Sequence, residues 1–482
     1  MNITIGKYTL ETLTVGMYDS PKDLYREYIQ NSADSIDLAI EQGLLKQDGG
    51  LIDVYISNEK KEIKIKDNGI GILSNEVEKF LLDIGNSKKI LTKERGFRGI
   101  GRLAGLAYCD KLIFETSSKG EDIKSIVIFD AKKLRDNLYR IDNNNSLSTI
   151  VEEVVSIETE KETKGQHYFC VSLFNVCDVD DILSTSRVEE YLAQVAPAKF
   201  SNQFKWADMI KARTKFISQK ISEYNIGIFI DSGNRKQVYK HYSDKFISDR
   251  MRKMGDTIND IETKIFYNNE LPIAYLWYAK SNFLGTVQDT SIKGLRLRKG
   301  NIQLGDRTTL NNIFKDERFN GWLIGELHIL SDELIPNARR DNLEKNTVYE
   351  ILFKQLKEWA EDVAAEIRKI SVSRNKQLQK KILGFEQGSV QGGDFVLLNE
   401  IQYDTRPEIE EVSHTELINA INIMINESRE PIKYKALELQ ENITIEQKKV
   451  LEKVFDILSN SYSSISENLI KVILKNFERQ NK

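Results

Sequence analysis

Helical and strand periodicities alternate along the first 180 residues. Across 21–43, the positions Tyr25, Ile29, Ala33, Ile36 and Ile40 recur at helical spacing and predict one helix with a face that can pack on a sheet. Segments 51–56 and 61–66 alternate apolar and polar residues with a period of two, which predicts a hairpin. A helical pattern returns over 75–84. Segments 111–116, 123–130, 147–157 and 166–176 are rich in Ile, Val and Phe and are parted by turn residues, so they predict four further strands. Strands gathered after helices predict an α+β layer, with helices on one face of a mainly antiparallel sheet.

Residues 181–222 read as helical and fairly basic. From 226 to 346 strand patterns return (IGIFID, KIFYNN, IAYLWYA, GLRLRKG, GWLIGELHI) and predict a second α/β region. Over 347–383 the residues Ile351, Leu352, Leu356, Trp359, Val363, Ile367 and Ile370 keep helical spacing and predict one long helix. A glycine-containing break (GFEQGSVQGGDF) and a polar helical tail follow. The expected division is therefore 1–180, 181–346 and 347–482, the last a helical region suited to dimerisation or partner binding.

Composition narrows the class more than the chemistry. A chain of 482 residues is too long for one core, and 40% hydrophobic with 29% charged residues is an ordinary globular balance. The net charge of −4 sets up no global field toward nucleic acid or an anionic membrane, although a local basic surface is still allowed. Cys109, Cys170 and Cys177 have no metal-ligand spacing and are odd in number, as expected of reduced thiols. His167, His241, His328 and His414 are scattered and are expected to be structural or on the surface. Residues 1–10 lack the order of a signal peptide, and no apolar run has membrane-spanning length, so a cytoplasmic location without membrane partners is expected.

Three stretches carry candidate chemistry. In YREYIQNSADSID, Glu27, Asn31 and Asp34 share one narrow stripe of the predicted helix. Alone, that pattern also describes an amphipathic helix with a solvated polar face. In IKDNGIGI a strand runs into Asp67-Asn68-Gly69-Ile70-Gly71, leaving a carboxylate at its end and a flexible loop after it. The Asn-Gly pair alone also describes a hairpin turn. In RGFRGIGRLAG, Gly96, Gly99 and Gly101 precede a helix-compatible segment, where backbone amides can approach phosphate. No Gly-Lys-Ser/Thr ending follows, so this is not a P-loop.

In this order and spacing the three stretches resemble the GHKL ATPase superfamily. Its members include the 90-kilodalton heat-shock chaperone, MutL, MORC proteins, type II topoisomerase ATPase subunits and histidine kinases. REYIQNSADSID looks most like the heat-shock chaperone, and GFRGIG as much like MutL. The resemblance implies a Bergerat-type sandwich that binds ATP with Mg²⁺. It implies Glu27 as the general base that polarises the attacking water, and Asn31 as a Mg²⁺ ligand through its amide oxygen. Asp34 would support the adenine end or the water network. Asp67 would accept a hydrogen bond from the adenine amine, with Gly69 and Gly71 shaping the loop beside the base. Ser87 and Lys88 precede the lid, with Lys88 a candidate phosphate contact. Gly96, Gly99, Ile100 and Gly101, followed by Arg102, would form that lid. The superfamily usually closes the site with Gly-Thr before a final strand; here Thr163, Gly165 and Gln166 depart from that pattern, leaving the last adenine-side contact unassigned.

Phosphoryl transfer also needs a cation against spreading negative charge. DELIPNARRDNLE resembles the heat-shock chaperone's middle-domain arginine loop, which makes Arg340 the first candidate and Arg339 the second. A basic surface turn is the competing reading. Relatives cross residues like 1–14 to a partner subunit, which implies a homodimer. The expected function is an ATP-gated dimeric clamp or chaperone-like machine with an unidentified protein client. Stand-alone prokaryotic relatives often work in genome or antiviral defence. A DNA-acting clamp of MORC, MutL or topoisomerase type is the alternative, permitted by the basic stretch at 205–220 and by GLRLRK. A nucleotide sensor with little turnover is a second alternative, which Glu27 weakens. A histidine kinase is disfavoured, since no phospho-accepting His helix precedes the ATP motifs.

Overall fold

The computed structural model describes residues 20–83, 101–139, 147–177, 179–214, 221–230, 233–249 and 253–385. Helix α1 (Asp23–Glu41) buries Leu24, Tyr25, Tyr28, Ile29, Ala33 and Ile36 in the core that it shares with the first sheet. The predicted hairpin forms β1 (Leu51–Ser57) and β2 (Glu62–Asp67), antiparallel and in register from Ile52↔Asp67 to Ser57↔Glu62. Burial alternates along both strands, so Ile52, Val54, Ile56, Ile63 and Ile65 face inward. Asp67 falls in the same inward phase. Helix α2 (Val77–Leu82) follows, and a 3₁₀ segment at Gly101–Ala107 lies on α1.

The sheet continues with β3 (Lys111–Ser117), β4 (Ile123–Asp130), β5 (Val155–Lys161) and β6 (Tyr168–Phe174), with helices α3 (Ala131–Tyr139) and α4 (Leu147–Val154) between β4 and β5. The strand expected over 147–157 is therefore corrected: its first part is α4. Ile150, Val151 and Val154 recur at helical spacing, and the strand begins only where Ser156-Ile157-Glu158 starts to alternate. The helical reading of 181–222 holds only in part. Helix α5 (Thr185–Val195) stops before Pro197, β7 (Lys199–Phe200) intervenes, and α6 (Ala207–Thr214) follows.

The strand at 226–230, expected at the start of the second α/β region, becomes β8 (Asn225–Ile230) and pairs parallel to β1. With β9 (Lys236–Gln237) it completes an eight-stranded sheet of order β5-β4-β3-β6-β2-β1-β8-β9, whose other pairings are all antiparallel. This is the α+β layer that the patterning predicts. Short strands β10 (Tyr239–Lys240), β11 (Lys245–Ser248) and β12 (Met254–Thr257) lead into a second sheet. That sheet comprises β13 (Asp260–Asn268), β14 (Leu271–Lys280), β15 (Gly294–Lys299), β16 (Ile302–Leu304) and β17 (Ile324–Ile329), in the order β13-β14-β17-β15-β16. Helix α7 (Thr347–Phe385) seats Leu352, Leu356, Trp359, Val363 and Ile367 in the core beneath it.

The basic strand GLRLRK is neither solvated nor free to meet a phosphate. Arg296, Arg298 and Lys299 of β15 turn inward onto protein acceptors: Thr290 and Ser291 carbonyls for Arg296, Asn301 and Gln194 carbonyls for Arg298, and Ser331 and Leu334 carbonyls for Lys299. Within the same core, Glu326 of β17 is fully buried and meets Arg298 Nε at 2.6 Å, Lys240 Nζ at 2.9 Å and His328 Nε2 at 3.0 Å. A buried carboxylate persists only when compensated in this way, and the opposed cations hold it well below the usual carboxylate range against its desolvation. Among the described residues, no helix is long and apolar enough to cross a membrane.

Candidate functional site

Glu27 sits on α1 with 3% of its surface exposed. Its surroundings come from three parts of the chain. On the same helix, Arg26 Nε lies 3.9 Å from Glu27 Oε1, and Arg26 Nη1 lies 3.4 Å from Asp23 Oδ1. From the 3₁₀ segment, Gly101 presses so closely that an added Cβ would stand 2.0 Å from Glu27 Oε2. From the loop between β17 and α7, Arg340 Nε reaches within 3.2 Å of Glu27 Oε1. That approach is an ion pair outside hydrogen-bond geometry, so among the described residues Glu27 Oε1 accepts no hydrogen bond.

The loop that carries Arg340 is built to hold it. Arg340 has a left-handed backbone, φ +58°, which a side chain with a Cβ adopts at some cost. Asn337 offsets that cost: its carbonyl accepts Arg340 N–H, its Oδ1 accepts Asp341 N–H, and its Nδ2 donates to Asp341 Oδ1. The Arg340 carbonyl accepts Gly305 N–H, and Arg26 Nη2 donates to the Arg339 carbonyl at 3.4 Å. Of the two predicted arginines, Arg340 is the one brought to Glu27, whereas Arg339 is exposed and meets α1 through its main chain. Asn31, one turn beyond Glu27, is half-buried, and Asp34 is 4% exposed.

Asp67 forms the other end of the site. Strand parity drives it inward between Ile52 on one neighbouring strand and Phe169 on the other, leaving it 3% exposed. Burial raises its pKa to about 7, and this rise is opposed by hydrogen bonds from Gly69 N–H, the Ser32 and Ser35 hydroxyls and Phe169 N–H. The loop after Asp67 has no room for side chains. A Cβ on Gly69 would fall 2.0 Å from Ser35 Oγ, and one on Gly71 (φ +72°) would fall 1.9 Å from the Ser117 carbonyl. Ile72 N–H is taken by Thr116 Oγ1 at 2.9 Å.

Arg102 is placed differently from the lid role expected of it. Its Nε donates to the Leu81 carbonyl at 3.2 Å and its Nη2 to the Asp83 carbonyl, so its guanidinium ties the 3₁₀ segment to the end of α2. Burial lowers its pKa to about 10. Ser87, Lys88, Gly96, Gly99 and Ile100 lie outside the described residues, as does the segment 1–14. Thr163 and Gln166 are exposed on a turn, with Gln166 N–H donating to the Thr163 carbonyl at 2.9 Å. The base-side contacts that sequence reasoning missed are Ser32, Ser35 and His167, whose Nδ1 lies 2.7 Å from the Gly69 carbonyl. Arg26 was missed on the catalytic side. The serines could have been found by placing Asp67 at the end of an inward-facing strand beneath the helix.

Among the described residues, no group of three or more His, Cys, Asp or Glu side chains could hold a metal ion. A site with one amide oxygen at Asn31 instead suits a cation that takes most of its ligands from phosphate and water, as Mg²⁺ does. Residues 21–164 match the profile of a family described as histidine kinase-, DNA gyrase B- and HSP90-like ATPase. The match takes in Glu27, Asn31, Asp34, Asp67 and the glycine-rich stretch at 96–101 but ends well before Arg340. No curated protein matches the chain.

Proposed function

We propose that residues 21–164, which match the profile of histidine kinase-, DNA gyrase B- and HSP90-like ATPases, form an ATPase domain of the GHKL superfamily, and that the chain hydrolyses ATP in a site completed by Arg340 from the loop between β17 and α7. The observation that carries this reading is the 3.2 Å approach of Arg340 Nε to the buried carboxylate of Glu27. A cation delivered by a loop far along the chain onto a predicted base has an evident use in phosphoryl transfer, where negative charge spreads over the transferred group.

Each residue then has a role set by its chemistry. Glu27 accepts the proton of the attacking water, because its carboxylate is buried and, among the described residues, its Oε1 accepts no hydrogen bond. Arg340 neutralises Glu27 without nucleotide and stands ready to face the γ-phosphate. Asp67 accepts the adenine amine. Asn31 holds Mg²⁺ through its amide oxygen, and the ion when bound supplies charge neutralisation between phosphate groups. Arg26 holds the arginine loop through the Arg339 carbonyl.

A site completed by a loop from outside the matched segment makes catalysis depend on how that loop meets α1, as an ATP-gated clamp would require; the homodimer and the protein client rest on the family resemblance alone. The DNA-acting alternative loses the support of GLRLRK, whose cations are engaged inside the second sheet. The test is kinetic. Glu27→Ala should abolish turnover and keep ATP binding, and Arg340→Ala should lower kcat by about 10³-fold, on the scale of an arginine finger, with ATP affinity little changed. Normal turnover in Glu27→Ala removes the base. Unchanged kcat in Arg340→Ala returns the loop to a purely structural role. Sedimentation with and without a non-hydrolysable ATP analogue tests the clamp, which requires a nucleotide-dependent dimer.

A further inference from the structure

His167 stands immediately before β6, where strand register brings Phe169 opposite Asp67. Directly opposed residues of antiparallel strands share a face, and residues two apart on one strand do as well. His167, Phe169 and Asp67 therefore project on one side of the sheet, at the end where the base-side loop begins. His167 is half-buried. Its Nδ1 is 2.7 Å from the Gly69 carbonyl oxygen, which can only accept, so Nδ1 carries the hydrogen.

The peptide joining Gly69 to Ile70 is held from both sides. His167 donates to its carbonyl, and its N–H donates to the Ser35 carbonyl of α1 at 3.1 Å. One imidazole thus closes a chain of bonds from β6 through a single peptide to the nucleotide helix, and linked bonds of this kind polarise one another. The adjoining amide, Gly69 N–H, donates to Asp67 Oδ1 at 2.8 Å. The orientation of Gly69 therefore decides whether Asp67 keeps a donor that stabilises its charged form against the burial that opposes it.

We propose that His167 is a positioning residue for base recognition: by fixing the Gly69 carbonyl it holds Asp67 as a charged, correctly aimed acceptor for the adenine amine. The proposal rests on the reading of Asp67 as the adenine contact. It assigns His167 to nucleotide affinity rather than to the chemical step, since the imidazole acts at the opposite end of the site from Glu27.

The experiment is ATP binding and steady-state turnover of the full chain as wild type, His167→Ala and His167→Asn. The asparagine amide can donate from nearly the same place as Nδ1. Loss of the bond should raise the Kd and KM for ATP about tenfold in His167→Ala with kcat within about twofold, as expected for one lost hydrogen bond that acts on binding alone. His167→Asn should return both constants to near wild type. Unchanged affinity in His167→Ala overturns the proposal. So does equal loss in both variants with a lowered melting temperature, which would make His167 a packing residue. Absence of ATP binding by the wild type would overturn the underlying reading of the site as well, whereas wild-type binding with an indifferent His167→Ala sinks this proposal alone.

Discussion

Along β2 the inward positions are Ile63, Ile65 and Asp67, so the same alternation that builds the core carries a carboxylate into it. That burial is unfavourable for the free protein. The folded pKa of about 7 stands above the value near 3.9 of an unfolded aspartate. The stability tied to this group is fully present below about pH 4 and is lost as pH rises through about 7, by at most ~4 kcal/mol. Asp67→Asn should therefore flatten the pH dependence of unfolding between about pH 4 and 7, measured by denaturant titration, while losing ATP binding. Nucleotide affinity should run the opposite way in the wild type. If adenine binds the ionised carboxylate alone, ATP should bind about tenfold more weakly at pH 6 than at pH 8. A pH-independent affinity across that range would detach Asp67 from the base. The identity of Asp67 was legible in its motif and its inward phase in the alternation. Its partners Ser32, Ser35 and His167 were not, because each meets the loop through a contact distant in sequence.

Element by element, the glycine-rich stretch shows how a motif can be found for one reason and built for another. Gly101 was expected to bring backbone amides close to phosphate. In the fold it also makes room for Glu27, since a Cβ there would lie 2.0 Å from Oε2. The 3₁₀ segment that it opens is pinned to α1 by Tyr28, whose hydroxyl donates to the Arg102 carbonyl and accepts Gly105 N–H. With both partners fixed, Gly101→Ala must displace the carboxylate. A displacement of that size should lower kcat by about 10²-fold with a smaller effect on ATP affinity, and a steady-state assay showing a normal kcat would place Glu27 outside the chemistry. Tyr28→Phe leaves Gly105 N–H without its acceptor and should destabilise the fold by about 1–3 kcal/mol, read from the denaturant midpoint. Element types were legible wherever one period ran unbroken, as in α1, β1, β2 and α7. They failed at 147–157 because helical and strand spacing abut there, and a single window averages the two.

Across the whole molecule, the described residues up to 373 form one compact unit although they contain two large sheets. Helix α5 shows why. Its Tyr191 hydroxyl donates to Asp23 Oδ1 on α1, beside Arg26 and Glu27, while its Gln194 carbonyl accepts Arg298 Nη2 from β15 at 2.6 Å. Arg298 is committed in turn to Glu326, so the helix that braces the nucleotide site is anchored in the buried charge cluster of the second sheet. A period of hydrophobicity cannot report such an anchor. GLRLRK read as a basic surface because strand parity alone does not say that both faces of β15 are covered, and the acceptors for its cations lie at positions 194, 290–291, 301 and 331–334. Replacing Arg298 by methionine removes the tie to α5 and leaves Lys240 to balance Glu326 almost alone. Breaking a buried pair by taking away one partner costs about 3–5 kcal/mol, more than a surface ion pair could account for. The wild type should therefore unfold residues 20–373 in one transition, and Arg298→Met should separate it into two, the second sheet melting first. Turnover should fall together with the loss of coupling, because the loop that brings Arg340 to Glu27 follows β17, whose sheet is then no longer braced against α1. A single unshifted transition in Arg298→Met would show that the two sheets are held together by packing alone.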